Sequence, residues 1–131
     1  MKAFKLLLAT TLLCMSANVW AASDDCSSPQ QKIKLSQSDR SKLDNATALL
    51  SGAKFSEQTD PSGIEIDNIV DGSVYKTMGI QNRDIAIASN LGPIHELMDF
   101  LSVVSVLGKN KANCLVLLRN KQPWSIQYLS Q

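Results

Sequence analysis

The chain has 131 residues, with 13 basic and 12 acidic side chains, a formal net charge of +1 and three cysteines. This length allows one small domain with a modest core. The near-neutral charge, without any polybasic run, argues against nucleic acid or an anionic membrane surface as the partner.

The first 22 residues have the features of a secretory signal. Two lysines precede an apolar run, and Val19 and Ala21 stand where signal peptidase accepts small residues, so we expect cleavage after Ala21 or Ala22. The alternative is a retained anchor, because the apolar run is only a little shorter than a minimal transmembrane helix. Cleavage reduces the 13 basic residues by two, to 11 against 12 acidic ones, a net charge of −1. The mature protein is therefore expected to be exported to the periplasm.

The cysteines fit an exported protein. Once Cys14 is removed with the signal, Cys26 and Cys114 form an even pair, and we predict a disulfide between the N-terminal tail and a late strand. In the chain-entropy model, closing so long a loop stabilises the fold by about 4–5 kcal/mol. The alternative is two independent thiols. Two cysteines and one distant histidine do not make a zinc ligand set, so no metal is expected.

After a flexible polar tail over residues 23–32, the domain is predicted to cover residues 33–131. Its first element is a helix near residues 38–50, capped by Ser36 or Ser38 and ended by a left-handed Gly52. The segments AKFSEQ and IEIDNIV are predicted as strands of a hairpin, joined by the tight turn TDPSG. The next stretch, GSVYKTMGIQNRD at residues 72–84, is predicted to form a short helical turn between two strands.

The second half of the chain predicts one main helix and three strands. DIAIAS alternates as a strand does, and IHELMDFLSVVSVLG carries apolar residues on most of its faces, as a largely buried helix does. The segments ANCLVLLR and WSIQYL follow as strands, because Trp124, Ile126 and Tyr128 alternate with polar residues. The predicted class is α+β, with mainly antiparallel strands, a main helix and a second helix in front.

No residue pattern predicts catalysis. His95, the one histidine, stands beside Glu96 at a helix start without a nucleophile motif, so an exposed or capping role is expected. Glu57, Asp60 and Glu65 flank the hairpin turn, where acidic residues normally face water. No phosphate-binding loop is present, so neither an enzyme nor a cofactor is predicted.

The order of strand, DGSVYKTMGIQNRDIAIASN, GPI, helix and terminal hairpin resembles a bacterial PDZ domain. More narrowly, KLSQSDRSKLDNATALLSGAKF and the pattern Ser-x-Tyr-x-x-x-Gly-Ile resemble the C-terminal PDZ domain of the type II secretion system protein C family. The resemblance covers about residues 33–129. It implies a small, mostly antiparallel β-sandwich or partial barrel, capped by one main helix and preceded by an extra N-terminal helix.

In such a domain the stretch 72–84 determines the fold. The resemblance implies that Val74 and Met78 pack inward, that Gly79 reverses the chain, and that the Asp84 carboxylate accepts backbone donors from the preceding turn. Arg83 departs from the family, which usually has glycine there, so a positive φ is expected at a cost of about 1 kcal/mol. Family members generally also carry an inner-membrane span and a secretin-contacting region. Here a signal-like segment leads directly into the PDZ-like part, so docking through that region is not expected.

The resemblance also implies a groove between the strand at residues 54–56 and the helix at residues 96–107. An extended peptide would add there as an extra strand. For each candidate lining residue, plain core packing is the alternative. The candidates are Lys54, Phe55, Ser56, Leu97, Leu101 and Val104.

The implied function is a non-enzymatic periplasmic module that binds a protein or an extended peptide. It would recruit or scaffold exported substrates or components of the secretion apparatus. The alternative is an adaptor or regulator of a periplasmic PDZ-type protease, which would prefer free C-terminal carboxylates. A small secreted hydrolase is disfavoured by the missing nucleophile. Nucleic acid is not an expected partner, and a membrane is one only if the signal segment is retained.

Overall fold

The computed structural model describes residue 26, residues 28–109 and residues 113–130. The predicted α+β class is confirmed, with seven strands and four helices in these parts of the chain. The predicted signal segment lies outside the described residues. In chain order the elements are β1 (Gln31–Leu35), α1 (Gln37–Leu43), α2 (Ala46–Ser51), β2 (Lys54–Thr59), β3 (Ser62–Asp67), α3 (Val74–Thr77), β4 (Asp84–Ser89), β5 (Gly92–Pro93), α4 (Leu97–Gly108), β6 (Cys114–Arg119) and β7 (Gln122–Ser130).

All seven strands belong to one sheet, in the order β1-β7-β6-β4-β3-β2, with β5 paired to β4. The pairing of β1 with β7 is parallel, and the other pairings are antiparallel. Strands β1 and β2 lie at opposite ends of this order, so the sheet does not close on itself. The expected sandwich or partial barrel is therefore corrected to a single open, mixed sheet.

Strand β1 is missing from the sequence prediction, which assigns its first two residues to a flexible tail. Its sequence, QKIKL, is short and gives a weak strand signal, and the strand is fixed by its neighbour β7. Just before β1, the Gln30 N–H donates to the Ser125 carbonyl at 3.0 Å. The Gln30 side-chain oxygen in turn accepts from the Ser125 N–H at 2.8 Å.

The core lies between the helices and one face of the sheet. Three aromatic rings join β2, α3 and α4 there: Phe55 lies 5.7 Å from Tyr75 and 5.8 Å from Phe100, measured between ring centroids. The Tyr75 hydroxyl donates to a backbone carbonyl at 2.6 Å and the Tyr128 hydroxyl to another at 2.8 Å. Burial raises the pKa of both tyrosines well above the ordinary value.

The predicted leading helix is divided into α1 and α2. Ser36 caps α1, as expected, by accepting from the Asp39 N–H at 3.1 Å. The break falls at Asp44 and Asn45, and the Asn45 side chain caps α2 by accepting from the Ala48 N–H at 3.1 Å. Short polar side chains of this kind compete with the helix for backbone bonds, which explains why one predicted helix becomes two.

The left-handed conformation expected at Gly52 is wrong, because its φ is −81°. The residue is required instead by packing. A Cβ atom at this position would lie 2.9 Å from Cε2 of the Tyr75 ring.

The stretch 72–84 has the predicted form of a one-turn helix, α3, between two strands. Val74 and Met78 are buried, and Gly79 reverses the chain at a φ of 80°. Arg83 has the expected positive φ, 74°. The Asp84 carboxylate accepts from the Gln81 N–H at 2.8 Å, as the resemblance implies.

The predicted disulfide joins Cys26 to Cys114, whose Cα atoms are 6.0 Å apart. Cys114 is buried at the start of β6 beside Ala88 and Val116. The bond thus attaches the N-terminal tail to the sheet. No helix within the described parts of the chain is long and apolar enough to cross a membrane.

Candidate functional site

Among the residues that the structure describes, strand β2 ends the strand order and pairs with β3 alone, so one of its sides is unpaired there. On β3, the Ile66 carbonyl accepts from the Arg83 N–H at 2.7 Å, so the backbone groups of Ile66 point toward β4. The direction of the backbone N–H and C=O groups alternates from one residue to the next along a strand. The backbone groups of Glu65, which precedes Ile66, therefore point toward β2 and its partner residue there, Ser56. The residues on either side of Ser56 must therefore direct their N–H and C=O groups to the open edge.

Those two residues are Phe55 and Glu57. Both side chains lie on the helix-facing side of the sheet, because Phe55 packs on the aromatic core and side chains alternate along a strand. Lys54 and Ser56 are exposed and point to the opposite face. The open edge of β2 is thus lined by backbone groups of residues whose side chains meet α4.

Helix α4 packs beside β2 and supplies the other wall. Leu97 and Leu101 are half-buried on the flank of this helix, whereas Val104 is fully buried and belongs to the core. Of the six predicted lining residues, Phe55, Leu97 and Leu101 are half-buried, and each packs against the same core cluster. We call the open edge of β2 with these three side chains the groove.

One end of the groove carries a contact that the sequence does not predict. The Glu57 carboxylate of β2 accepts from the backbone N–H of Leu97, the first residue of α4, at 3.1 Å. Nearby, Ser62 Oγ at the start of β3 lies 2.7 Å from Nδ1 of His95. Both contacts join the β2–β3 hairpin to the start of α4. They link residues 40 and 33 positions apart, a distance over which no local pattern gives a signal.

The start of α4 also caps itself. Glu96 is the N-cap residue and forms a capping box with Asp99, whose Oδ2 accepts from the His95 and Glu96 N–H groups at 3.0 Å each. These backbone donors, that of His95 first, hold the pKa of Asp99 below its ordinary value. The first turn of α4 is therefore fixed by carboxylates from two separate elements.

The Ser62–His95 pair resembles part of the arrangement used in nucleophilic catalysis, in which a serine lies beside a histidine. Such a site needs a group that orients the second imidazole nitrogen, and donors for an oxyanion. In the part of the chain that the structure describes, no hydrogen bond involves Nε2 of His95. Ser62 and His95 are both exposed. The pair is better explained as a link between the hairpin and α4.

A second polar cluster holds the stretch 72–84 in place. Arg119 of β6 makes a two-pronged ion pair with the buried Asp84 carboxylate, at 3.1 and 2.9 Å, and also donates to the Gly79 carbonyl at 2.9 Å. Its guanidinium carbon lies 4.9 Å from the centroid of the Trp124 ring. All of these partners belong to the protein itself, so the cluster is structural.

A cavity of about 390 Å³ lies beside β1 and does not include any residue of the groove. Two of its polar side chains already have protein partners: Asn82 accepts from the Ile69 N–H at 2.8 Å, and Lys76 pairs with Asp71. We therefore favour the groove over this cavity as the functional site. The cavity is lined by Gln31, Ile69, Lys76, Gly79, Ile80, Gln81 and Asn82.

Among the described residues, no group of three or more histidine, cysteine or acidic side chains could hold a metal ion. Comparison with known proteins adds no assignment: no protein-family model matches the sequence, and no curated protein matches it. The function must therefore be argued from the geometry of the groove and from the resemblance described above.

Proposed function

We propose that this chain is a non-enzymatic module that binds an extended segment of a partner protein in the groove. The observation that carries this proposal is the unpaired edge of β2 beside the half-buried side chains of Leu97 and Leu101. Backbone hydrogen bonds to an open edge supply affinity that is largely independent of sequence, and adjacent apolar side chains select the residues of the partner.

The partner class follows from the resemblance to the PDZ domain of the type II secretion system protein C family. On that basis the module acts in the periplasm, where it recruits exported proteins or scaffolds components of the secretion apparatus. The Cys26–Cys114 disulfide supports an oxidising compartment, because such bonds rarely persist in the cytosol. The α+β architecture, with an edge strand beside α4, is compatible with this assignment.

Peptide selection on the mature protein, from Ser23 onward, tests the proposal. Two libraries of random peptides are needed, one with free C-termini and one with the random segment internal to a carrier. We expect the protein to retain peptides and Leu101→Asp to weaken their binding by about tenfold or more, because a charge would then face the bound strand. The matched control is Met98→Asp on the same helix, where the side chain is 67% exposed. This change is expected to leave binding within about twofold.

Leu101 is a better probe than Phe55, because the Phe55 ring packs on Tyr75 and Phe100 and its loss would also disturb the core. Circular dichroism must show that each variant is folded. If folded Leu101→Asp binds as tightly as the unchanged protein, the groove is not the binding site. Selection of free C-termini alone would favour the protease regulator. Selection of internal segments would favour the secretion module.

A further inference from the structure

The cavity beside β1 has a volume of about 390 Å³, which is within the range of small-molecule sites. Its apolar lining comes from Ile80, which is buried, and from Ile69, which is half-buried. None of its lining residues is acidic, so the cavity does not suit a cation. Its polar side chains are Gln31 of β1, Lys76 of α3, and Gln81 and Asn82 of the turn before β4.

Two amide side chains of the cavity have an occupied oxygen and a free NH₂ group. Gln31 Oε1 accepts from the indole N–H of Trp124 at 3.1 Å. Asn82 Oδ1 accepts from the Ile69 N–H at 2.8 Å. Each bond fixes which end of the amide is the oxygen, because an N–H group can only donate. In the part of the chain that the structure describes, no hydrogen bond involves Nε2 of Gln31 or Nδ2 of Asn82, so both residues offer donors to a ligand.

Two backbone acceptors of the adjacent turn are occupied as well. The Gly79 carbonyl accepts from Arg119 at 2.9 Å, and the Gln81 carbonyl accepts from the Asp84 N–H at 3.1 Å. The missing side chain at Gly79 also makes room for the Gln31 amide, because a Cβ at Gly79 would lie 3.3 Å from Gln31 Nε2. The turn therefore favours a ligand that brings its own acceptors.

Lys76 adds a positive charge to the same cavity. Its ammonium pairs with Asp71, which does not line the cavity, and both side chains are exposed. Exposed ion pairs are weak, and an ammonium has three N–H donors, so Lys76 can bind a second carboxylate. The cavity thus combines one cation, two free NH₂ groups and an apolar lining.

We propose that this cavity is a binding site for a carboxylate carried on a short apolar body. An ionised carboxylate has acceptors only, so its two oxygens match the donors of Gln31, Asn82 and Lys76. The apolar body lies against Ile69 and Ile80. Two sources supply this chemistry, a small organic acid and the C-terminal residue of a peptide. The cavity contains no residue of the groove, so this inference does not depend on the proposed function.

NMR titration of the isotopically labelled mature protein with 4-methylpentanoate tests the site, and 4-methylpentanamide is the neutral control. We expect the acid to shift the side-chain NH₂ signals of Gln31 and Asn82 saturably, with a dissociation constant on the order of millimolar for so small a ligand. The amide should bind at least about tenfold more weakly, because it lacks the charge. Equal binding of acid and amide would overturn the carboxylate assignment.

Two isosteric variants test the residues. Asn82→Asp and Gln31→Glu each keep the oxygen that accepts within the protein, remove the NH₂ donors and add a negative charge. Each should weaken binding of 4-methylpentanoate by about tenfold or more. The matched control is Gln37→Glu, which makes the same charge change at an exposed position of α1 and should stay within about twofold. Unchanged affinity in Asn82→Asp and Gln31→Glu would overturn the site.

The dispersion of the amide signals shows whether each variant is folded. Lys76 is exposed, so Lys76→Met provides a further variant if an amide substitution prevents folding, and it should weaken binding by about threefold. Leu101→Asp should leave binding of 4-methylpentanoate within about twofold, because it changes the groove alone. Failure of the groove and failure of the cavity are therefore distinguishable.

Acetyl-alanyl-leucine with a free C-terminus, compared with its C-terminal amide, distinguishes the two sources. Tighter binding of this peptide acid than of 4-methylpentanoate would support the site with a chain end as its ligand. Weaker binding would support it with a small organic acid as its ligand. If neither acid shifts the Gln31 and Asn82 signals at concentrations up to about 50 mM, the cavity does not bind carboxylates.

Discussion

Arg119 and Asp84 are the residues that fix the conformation of the chain between α3 and β4. The Asp84 carboxylate accepts from Gln81 inside the turn and from Arg119 on β6, so the turn is bound to the neighbouring strand. Arg119 also reaches the Gly79 carbonyl. Because the ion pair is nearly buried, either charge left alone would be costly. The left-handed backbone at Gly79 and Arg83 is thus held by specific side chains.

Gly79 and Gly72 provide a matched pair that separates backbone strain from steric overlap. Their φ angles are 80° and 83°, but a Cβ at Gly79 would lie 2.6 Å from Cδ1 of Ile33, whereas a Cβ at Gly72 would meet nothing within 4 Å. Gly72→Ala should lower the free energy of unfolding by about 1 kcal/mol through backbone strain alone. We expect Gly79→Ala to lower it somewhat more, by about 1–2 kcal/mol, because the terminal methyl of Ile33 must also move away from the new Cβ.

Urea denaturation of both variants measures this difference. Equal losses at the two positions would mean that the Ile33 side chain moves aside freely, and that β1 does not press on the turn.

At the scale of the elements, α4 depends on its first turn. Asp99, Glu96 and Glu57 each supply a carboxylate to a backbone N–H there, so this end of the helix carries several negative groups. Such groups stabilise a helix start through hydrogen bonds and through the helix dipole. The same turn lies beside the groove, so under the proposed function its stability would influence the binding of a partner.

The lowered pKa of Asp99 predicts an acid-dependent loss of stability. A carboxyl group whose folded-state pKa is depressed contributes stability that is present above its unfolded pKa, about 3.8, and lost as the pH falls through the folded value. Asp99→Asn keeps an acceptor but removes the titration. We expect the unchanged protein to be more stable than Asp99→Asn at pH 6, and the difference to shrink as the pH falls below about 3.8.

Free energies of unfolding from urea titrations at several pH values test this dependence. A difference between the two proteins that is the same at pH 6 and pH 2.5 would show that the Asp99 charge does not stabilise α4.

The elements that the sequence predicts correctly have local signals. The stretch 72–84 contains its own glycines, its own turn and Asp84, so its form follows from neighbouring residues. Strand β1 has only a weak signal in its five residues, QKIKL, and is fixed as a strand by pairing with β7, about 95 residues later. The Glu57–Leu97 contact escapes prediction for the same reason. In the groove, the resemblance implies Phe55, Leu101 and Val104 as lining residues, but no sequence pattern shows that Val104 is fully buried.

At the scale of the whole molecule, the strand order of the described sheet ends in β1 on one side and β2 on the other, and a disulfide joins distant parts of the chain. Strand β1 forms one edge and carries two exposed lysines, Lys32 and Lys34, of the kind that discourage pairing with other chains. Strand β2 forms the other edge beside α4. The disulfide closes a loop of 88 residues that contains both edges. The two edges therefore differ in chemistry, because β1 carries exposed lysines whereas β2 lies beside the half-buried leucines of α4.

Replacing both Cys26 and Cys114 by serine tests the contribution of the disulfide. In the chain-entropy model the bond stabilises the fold by about 4–5 kcal/mol, so the double variant should unfold at much lower urea concentration. The oxidised mature protein should show no free thiol when denatured and titrated. Two reactive thiols there would contradict the bond, and an unchanged urea midpoint in the double variant would show that the bond adds no stability.

The parallel pairing of β1 with β7 also determines how the domain carries mechanical load. Tension between the start of β1 and the end of β7 acts along both strands, so all their evenly spaced hydrogen bonds resist together in shear. The disulfide changes this path, because force applied at Cys26 passes directly to Cys114 at the start of β6. Since Cys114 pairs with Gln127 near the end of β7, that force opens the β6–β7 hairpin bond by bond. Reduction would therefore convert a peeling load into a shearing one.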